Sequence, residues 1–215
     1  MRYFAIFSAL LLTSACTHEI NVAASPATAE YSSYATKVSG KFALFVDPAN
    51  MNQDAVPMTG NGCDMHTFPI KAADAFKTST IKTMQSVFET VDIVDAPLTR
   101  DQLQQKGYRG MVSVRAENLS ARIGITYGFW TGTATGVANV TLSALVDGPT
   151  DRLFGTSVSA ERSSSEDTYA GCGTAADATG KATAAAINYA LQQLAEHISD
   201  APKLRQTAVP AAAVN

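Results

Sequence analysis

Three histidines, three cysteines and a few glycine-rich turns are the residues of this 215-residue chain whose types suit chemistry. The densest group is Cys63-Asp64-Met65-His66, which brings a thiol, a carboxylate and an imidazole within four residues. Such a group reads either as part of a metal site or as a thiol–imidazole pair, the arrangement that turns a cysteine into a nucleophile. The spacing supplies at most three ligands, and a Cys63 held in a disulfide supplies none, so the stretch is expected to be a structural cap. His18 lies near the N-terminus, and His197 falls late in a helical stretch, where a cation suits the helix dipole.

Other reactions lack their motifs. Serine hydrolysis calls for a nucleophile on a G-x-S-x-G elbow, and the chain has none. GTATG, AGCGTAADATGK and YGFWTG do not match the G-x-x-x-x-G-K-[ST] phosphate loop, and Gly180-Lys181 falls inside a helical stretch. Glu161, Glu166 and Asp167 read as an exposed acidic turn. The expectation is therefore a protein that is not an enzyme and holds no metal or cofactor. The enzymatic alternative is an envelope hydrolase using His66, with acids brought to it by folding.

Two features suit recognition. Tyr127, Phe129 and Trp130, the chain's only tryptophan, sit in YGFWTG, a glycine-flanked hairpin tip. Aromatics at a tip either touch a partner, an acyl chain or the bilayer interface, or fold back over the sheet. Arg115 and Arg122 share one long strand with Glu117 between them; they are expected to solvate an open sheet face, with binding of an anionic lipid as the second reading.

The elements that position these residues follow an export signal. Arg2 precedes an apolar run from Tyr3 to Leu12, then small residues and Cys16, which is the layout of a secretory signal. A run this short falls well under the roughly 20 residues that span a bilayer. Leu12-Thr13-Ser14-Ala15-Cys16 resembles the lipobox of bacterial lipoproteins, although Thr13 stands where that family usually has an aliphatic residue. The resemblance implies cleavage before Cys16, lipidation of Cys16 and, with Thr17 in place of an aspartate, anchoring in the outer membrane on its periplasmic face. Loss of residues 1–15 removes Arg2 and leaves 15 Lys and Arg against 19 Asp and Glu, a formal charge of −4. That balance gives no electrostatic reason to bind nucleic acid.

With Cys16 set aside, Cys63 and Cys172 form an even pair in an oxidising compartment and are expected to make a disulfide. Each follows a glycine, in NGCD and AGCG, a few residues before a predicted helix. The bridge would hold those two helix entrances together.

The expected organisation is a signal peptide at 1–15, the lipid anchor and a flexible tether at 16–36, one α+β domain at 37–200 and a disordered tail at 201–215. KFALFVD is apolar on both faces and predicts an interior strand. A long loop runs from Pro48 to about Ile70, followed by a helix from about Ala72 to Thr90 and a short strand, VDIVDAP. Thr99 and Gln102 form a capping-box pattern for a short helix ending at Gly107. In MVSVRAENLSARIGI the apolar parity changes from even at Val112 and Val114 to odd at Leu119, Ala121, Ile123 and Ile125, which predicts a bulge near Glu117 and Asn118. ATGVANVTLSALVDG and RLFGTSVSAER complete a three-stranded meander. A helix from about Ala175 to Ile198 closes the chain, and its Ala-, Thr- and Gly-rich first half is expected to approach another backbone closely. The fold class is α+β: a single mixed sheet of about five strands with two long helices packed on one face.

A lipobox, a tether, strand–helix–strand, a meander and a final helix resemble, in layout, the small α+β outer-membrane lipoproteins that assist lipopolysaccharide assembly, curli secretion and lipid transport. The resemblance implies a non-enzymatic accessory that binds an envelope protein or a lipid through its sheet and tip. A structural lipoprotein that self-associates into a homo-oligomer through strand edges is the other alternative.

Overall fold

From the strand at 38–47, Phe42, Leu44 and Val46 project to one side and Ala43 and Phe45 to the other, because side chains alternate along extended backbone. Phe42, Ala43 and Leu44 are all fully buried, so both faces of this strand are covered. The structure is a computed structural model and describes residues 16–27, 36–58, 60, 62–168 and 171–206. The predicted signal peptide, residues 28–35 and residues 207–215 lie outside the described residues. In chain order the elements are β1 (Ile20–Asn21), β2 (Val38–Asp47), β3 (Val56–Pro57), β4 (Ile70–Lys71), α1 (Ala73–Val87), β5 (Phe88–Ile93), α2 (Arg100–Gln105), β6 (Gly110–Tyr127), β7 (Gly132–Asp147), β8 (Arg152–Thr168), α3 (Cys172–Ser199) and α4 (Pro202–Arg205).

The fold is α+β. The main mixed sheet has the order β5-β2-β6-β7-β8. β2 runs parallel to both of its neighbours, and β6, β7 and β8 form the antiparallel meander. β3 adds a sixth strand, parallel to β6 beyond the end of β2, and β1 pairs with β4 in a separate small parallel sheet. These three two-residue strands are additions to the five expected from the sequence.

The parity change in β6 is a bulge. Ala116 pairs with Leu142 and Asn118 with Thr141, so Glu117 has no cross-strand partner. The extra residue brings Val112, Val114 and Ala116 onto the same buried face as Leu119, Ala121 and Ile123. Asn50 donates from Nδ2 to the carbonyls of Ala116 and Glu117 at 3.1 Å each, satisfying acceptors beside the bulge.

Helices α1 and α3 pack against each other and against one face of the sheet, on the core that holds Phe42, Leu44, Phe76, Val140 and Leu194. The small residues of α3 lead to the close approach expected of them: a Cβ added at Gly136 of β7 would lie 2.3 Å from the Thr179 Cα. Helix α1 ends at Val87, earlier than the periodicity suggests. Phe88 is instead extended and pairs with Val38, and its ring meets Phe42 at a centroid distance of 4.6 Å. Burial of that aromatic in the sheet overrides continuation of the helix.

The short helix α2 covers the opposite face. Leu103 packs with Ala43, Tyr108 and Met111 in a second, smaller core. Both hydrogen bonds of the Thr99–Gln102 capping box are present, and Gly107 takes φ +67°, which suits a glycine at the helix end.

Three sequence expectations need correction. Residues 16–27 are not a free tether but a strap across α1 and α3. Ile20 and Ala27 are buried; the Ser25 and Ala27 amides donate to Ser79 Oγ and Thr83 Oγ1, and Asn188 donates to the Ser25 carbonyl. The strap has no apolar period because its backbone is held by side chains from other elements. The 201–215 segment is likewise ordered at its start, where α4 buries Leu204 and Arg109 Nη2 donates to the Leu204 carbonyl at 2.9 Å. Finally, the Pro48–Ile70 loop is broken by β3, by the Asp54–Pro69 bridge and by β4, so much of it is tied to neighbouring strands.

Candidate interaction surfaces

One end of the domain gathers several residues far apart in sequence. The Thr67 amide donates to the Cys16 carbonyl at 3.2 Å, and Thr17 pairs with Thr67 in a parallel bridge. His18 Nε2 lies 3.0 Å from His66 Nδ1. Cys63 and Cys172 form a disulfide with Cα atoms 5.9 Å apart, joining this turn to the start of α3. Cys16 itself is free and exposed. The residue with the lipobox resemblance is thus seated on the folded domain with no spacer between.

The YGFWTG hairpin lies at this same end. A Cβ added at Gly62, next to Cys63, would meet the Tyr127 hydroxyl at 3.4 Å. A shallow cleft of about 140 Å³ is lined by Tyr127, Phe129 and Trp130 together with Gly171, the neighbour of Cys172. The tip is exposed: Tyr127 is 64% accessible, Phe129 89% and Trp130 85%, and the last two rings meet edge to face at 4.8 Å. Met65, to which the sequence analysis assigned no role, is 87% accessible.

The second surface is the sheet face left open by the helices over β6, β7 and β8. Arg115 and Arg122 both lie on it, opposite Ser143 and Val137, and Arg115 Nε reaches Asp47 Oδ2 at 3.2 Å. Most of its side chains are hydroxyls and small polar groups: Thr133, Thr135, Asn139, Thr141 and Ser143 from β7 face Asp167, Ser165, Glu161, Ser159 and Ser157 from β8. Thr141 Oγ1 and Ser159 Oγ are 2.8 Å apart, and Thr135 Oγ1 and Ser165 Oγ 3.2 Å. The signal for this ladder is the Ser/Thr alternation of both strands. An open cleft of about 440 Å³ forms where β3 meets this face, lined by Asp54, Val56, Arg122, Asn139 and Glu161 among others.

The residues singled out for chemistry take structural places. Cys63 is bonded to Cys172 and offers no thiolate, and the His66 ring nitrogen faces His18. Among the described residues, no three His, Cys, Asp or Glu side chains converge as metal ligands. Glu161, Glu166 and Asp167 do not form a turn: β8 continues through Thr168, so Glu166 projects toward α3 and pairs with Lys181, while Glu161 and Asp167 project to the open face. His197 occupies the last turn of α3. No described helix is long and apolar enough to cross a membrane.

The sequence matches no protein-family model and no curated protein. Among solved structures, the chain is similar to a Xanthomonas campestris protein at 14% identity and a TM-score of 0.42, over 86% of this chain and 93% of that one. It is similar to a neuraminyllactose-binding hemagglutinin homolog from Helicobacter pylori at 9% identity and a TM-score of 0.45, over 76% and 88% of the two chains. A minor lipoprotein from Acinetobacter baumannii shares 13% identity at a TM-score of 0.38, over 74% and 92%. Similarity at this level says nothing about ligand or partner.

Proposed function

We propose that this chain is a periplasmic lipoprotein, anchored in the outer membrane through Cys16, that acts as a non-enzymatic accessory in envelope assembly or transport by binding a protein or lipid partner. The observation that carries this reading is the pairing of an exposed Cys16 with an exposed aromatic tip at one end of a domain whose sheet keeps an open polar face. An anchor at one end leaves that face accessible to a partner in the periplasm.

Metabolic acyl labelling tests the anchor: wild type is expected to incorporate label and Cys16→Ala to lose it. Equal labelling of the two would falsify lipidation at Cys16. Photo-crosslinking in cells from Thr141 and from Trp130 tests the accessory role. The expected result is a reproducible envelope adduct from at least one position; no adduct from either, with a stable monomer throughout, overturns it.

Self-association is favoured by one further observation. β8 is a 17-residue strand at the end of the sheet, and no described strand pairs with its outer edge. Long edges invite pairing with another chain. Sedimentation of the unlipidated chain distinguishes the two readings, since edge-to-edge assembly gives a concentration-dependent oligomer and an accessory with an external partner stays monomeric.

A further inference from the structure

We infer that the end of the domain carrying Trp130, Phe129, Tyr127 and Met65 docks directly on the bilayer surface that holds the Cys16 acyl group, an inference that rests on the reading of Cys16 as lipidated. The described residues expose six large hydrophobic side chains, Val56, Met65, Ile93, Tyr127, Phe129 and Trp130, and four of them lie at the end where Cys16 is seated. Aromatic residues with a polar edge and flexible apolar side chains are the types that partition into a membrane interface.

The reach of the anchor argues for the bilayer over a protein partner. A tether of about 20 residues would let the domain wander on the order of 25 Å from the membrane. Instead the Cys16 carbonyl accepts from the Thr67 amide and His18 bonds to His66, so an acyl group on the Cys16 side chain would leave the domain surface directly. The bilayer must then lie against this end. Met65 is two residues from Thr67, and the tip is joined to the same turn through Tyr127 and Gly62. Asp64 is exposed between them, so the contact draws on apolar insertion and not on attraction to anionic headgroups. A protein-borne apolar contact beside the lipid anchor adds to membrane binding and fixes the orientation of the domain. With the hairpin tip down, β6, β7 and β8 stand up from the membrane and their open face points sideways into the periplasm.

Trp130 is its own reporter, because it is the chain's only tryptophan. The chain beginning at Cys16 is coupled through the Cys16 thiol, the one cysteine outside the disulfide, to maleimide-bearing lipid in phosphatidylethanolamine–phosphatidylglycerol vesicles with or without brominated acyl chains. Trp130 emission is expected to shift to the blue on coupling and to be at least halved by the brominated lipid. A Val56→Trp, Trp130→Phe chain, whose probe sits on the open face, is expected to show neither change. Unquenched Trp130, or equal quenching at both positions, overturns the inference, as does a Trp130 that stays in water while crosslinking to an envelope protein. Chemical coupling supplies the anchor, so this result stands apart from the acyl-labelling outcome: loss of the anchor reading leaves the geometry tested, and an unquenched tip leaves lipidation intact.

Discussion

His18 Nε2 and His66 Nδ1 lie 3.0 Å apart, their rings stack at a centroid distance of 5.0 Å, and Phe68 stacks on His18 at 5.6 Å. One imidazole donates an N–H to the lone pair of the other, which ties the residue two places after Cys16 to the turn holding the disulfide. His66→Ala removes the bond and part of the stack, and is expected to lower stability by about 1 kcal/mol. Its stronger effect is local: the His18 and Ile20 amides, which donate to the Thr67 and Pro69 carbonyls, should exchange faster than those of β7. Retention of the cellular phenotype in this variant would sink the hydrolase reading, which depends on the His66 ring.

The Cys63–Cys172 bridge spans a sequence separation of 109 residues. In the chain-entropy account, closing a loop of that length in the unfolded state contributes about 4 to 5 kcal/mol. Cys63→Ser with Cys172→Ser is expected to lower the unfolding free energy measured by urea titration by most of that amount, and a reducing agent should bring the wild-type value down to match. A wild type insensitive to reductant and equal to the double variant would show that the bridge is not made.

Gly136 and Thr179 set the distance between β7 and α3. The Cβ of Gly136→Ala would fall 2.3 Å from the Thr179 Cα and 2.4 Å from its N, both rigid backbone atoms, so the helix must shift. A loss of about 3 kcal/mol is expected, the upper part of the range for overpacked sites. Gly155→Ala is the matched control, because its nearest neighbour is a movable methyl of Leu145 at 3.1 Å. Thermal denaturation should separate the two; equal melting temperatures would contradict the close approach.

Asp92 accepts from Lys41 Nζ at 2.8 Å and from the Tyr108 hydroxyl at 2.8 Å. The Lys41 hydrogen bond first, and then the Tyr108 bond, hold the Asp92 carboxyl below its ordinary value, and the same contact with Asp92 raises Lys41. A depressed carboxylate contributes stability above its unfolded pKa of about 3.9 and loses it as pH falls through the lower folded value. A raised lysine contributes below about 10.4 and loses its share as pH rises through the higher folded value. Asp92→Asn should therefore flatten the acid limb below about pH 4 and the alkaline limb above about pH 10, with a small effect between them because both side chains are over two-fifths exposed. Stability against pH by urea titration reads this directly, and parallel curves for variant and wild type would contradict it.

Local physics is legible wherever neighbours in sequence are neighbours in space. The Thr99 capping box, the bulge at Glu117, the two-faced burial of β2 and the stripe Ile187, Leu191, Leu194 and Ile198 each follow from a period of 2 or 3.6 or from a three-residue spacing. The helix ends are less legible, since Phe88 is decided by the Phe42 ring and not by its own propensity. The acidic residues of β8 read as a turn because the strand's last third carries almost no apolar residues; the meander pairing with β7 keeps it extended.

By itself, then, the sequence determined the α+β class, the succession of long elements and the three interacting candidates: the Cys16 stretch, the YGFWTG tip and the arginine-bearing strand. Tertiary structure decided where these stand relative to one another. The strap at 16–27 is polar and aperiodic, and its order comes from hydrogen bonds to Thr67, Ser79, Thr83 and Asn188, each more than 40 residues away, which no local pattern can encode. Those same long-range contacts hold the chain after Cys16 against the domain and bring Cys16 to the end of the fold where Phe129, Trp130 and Met65 are exposed.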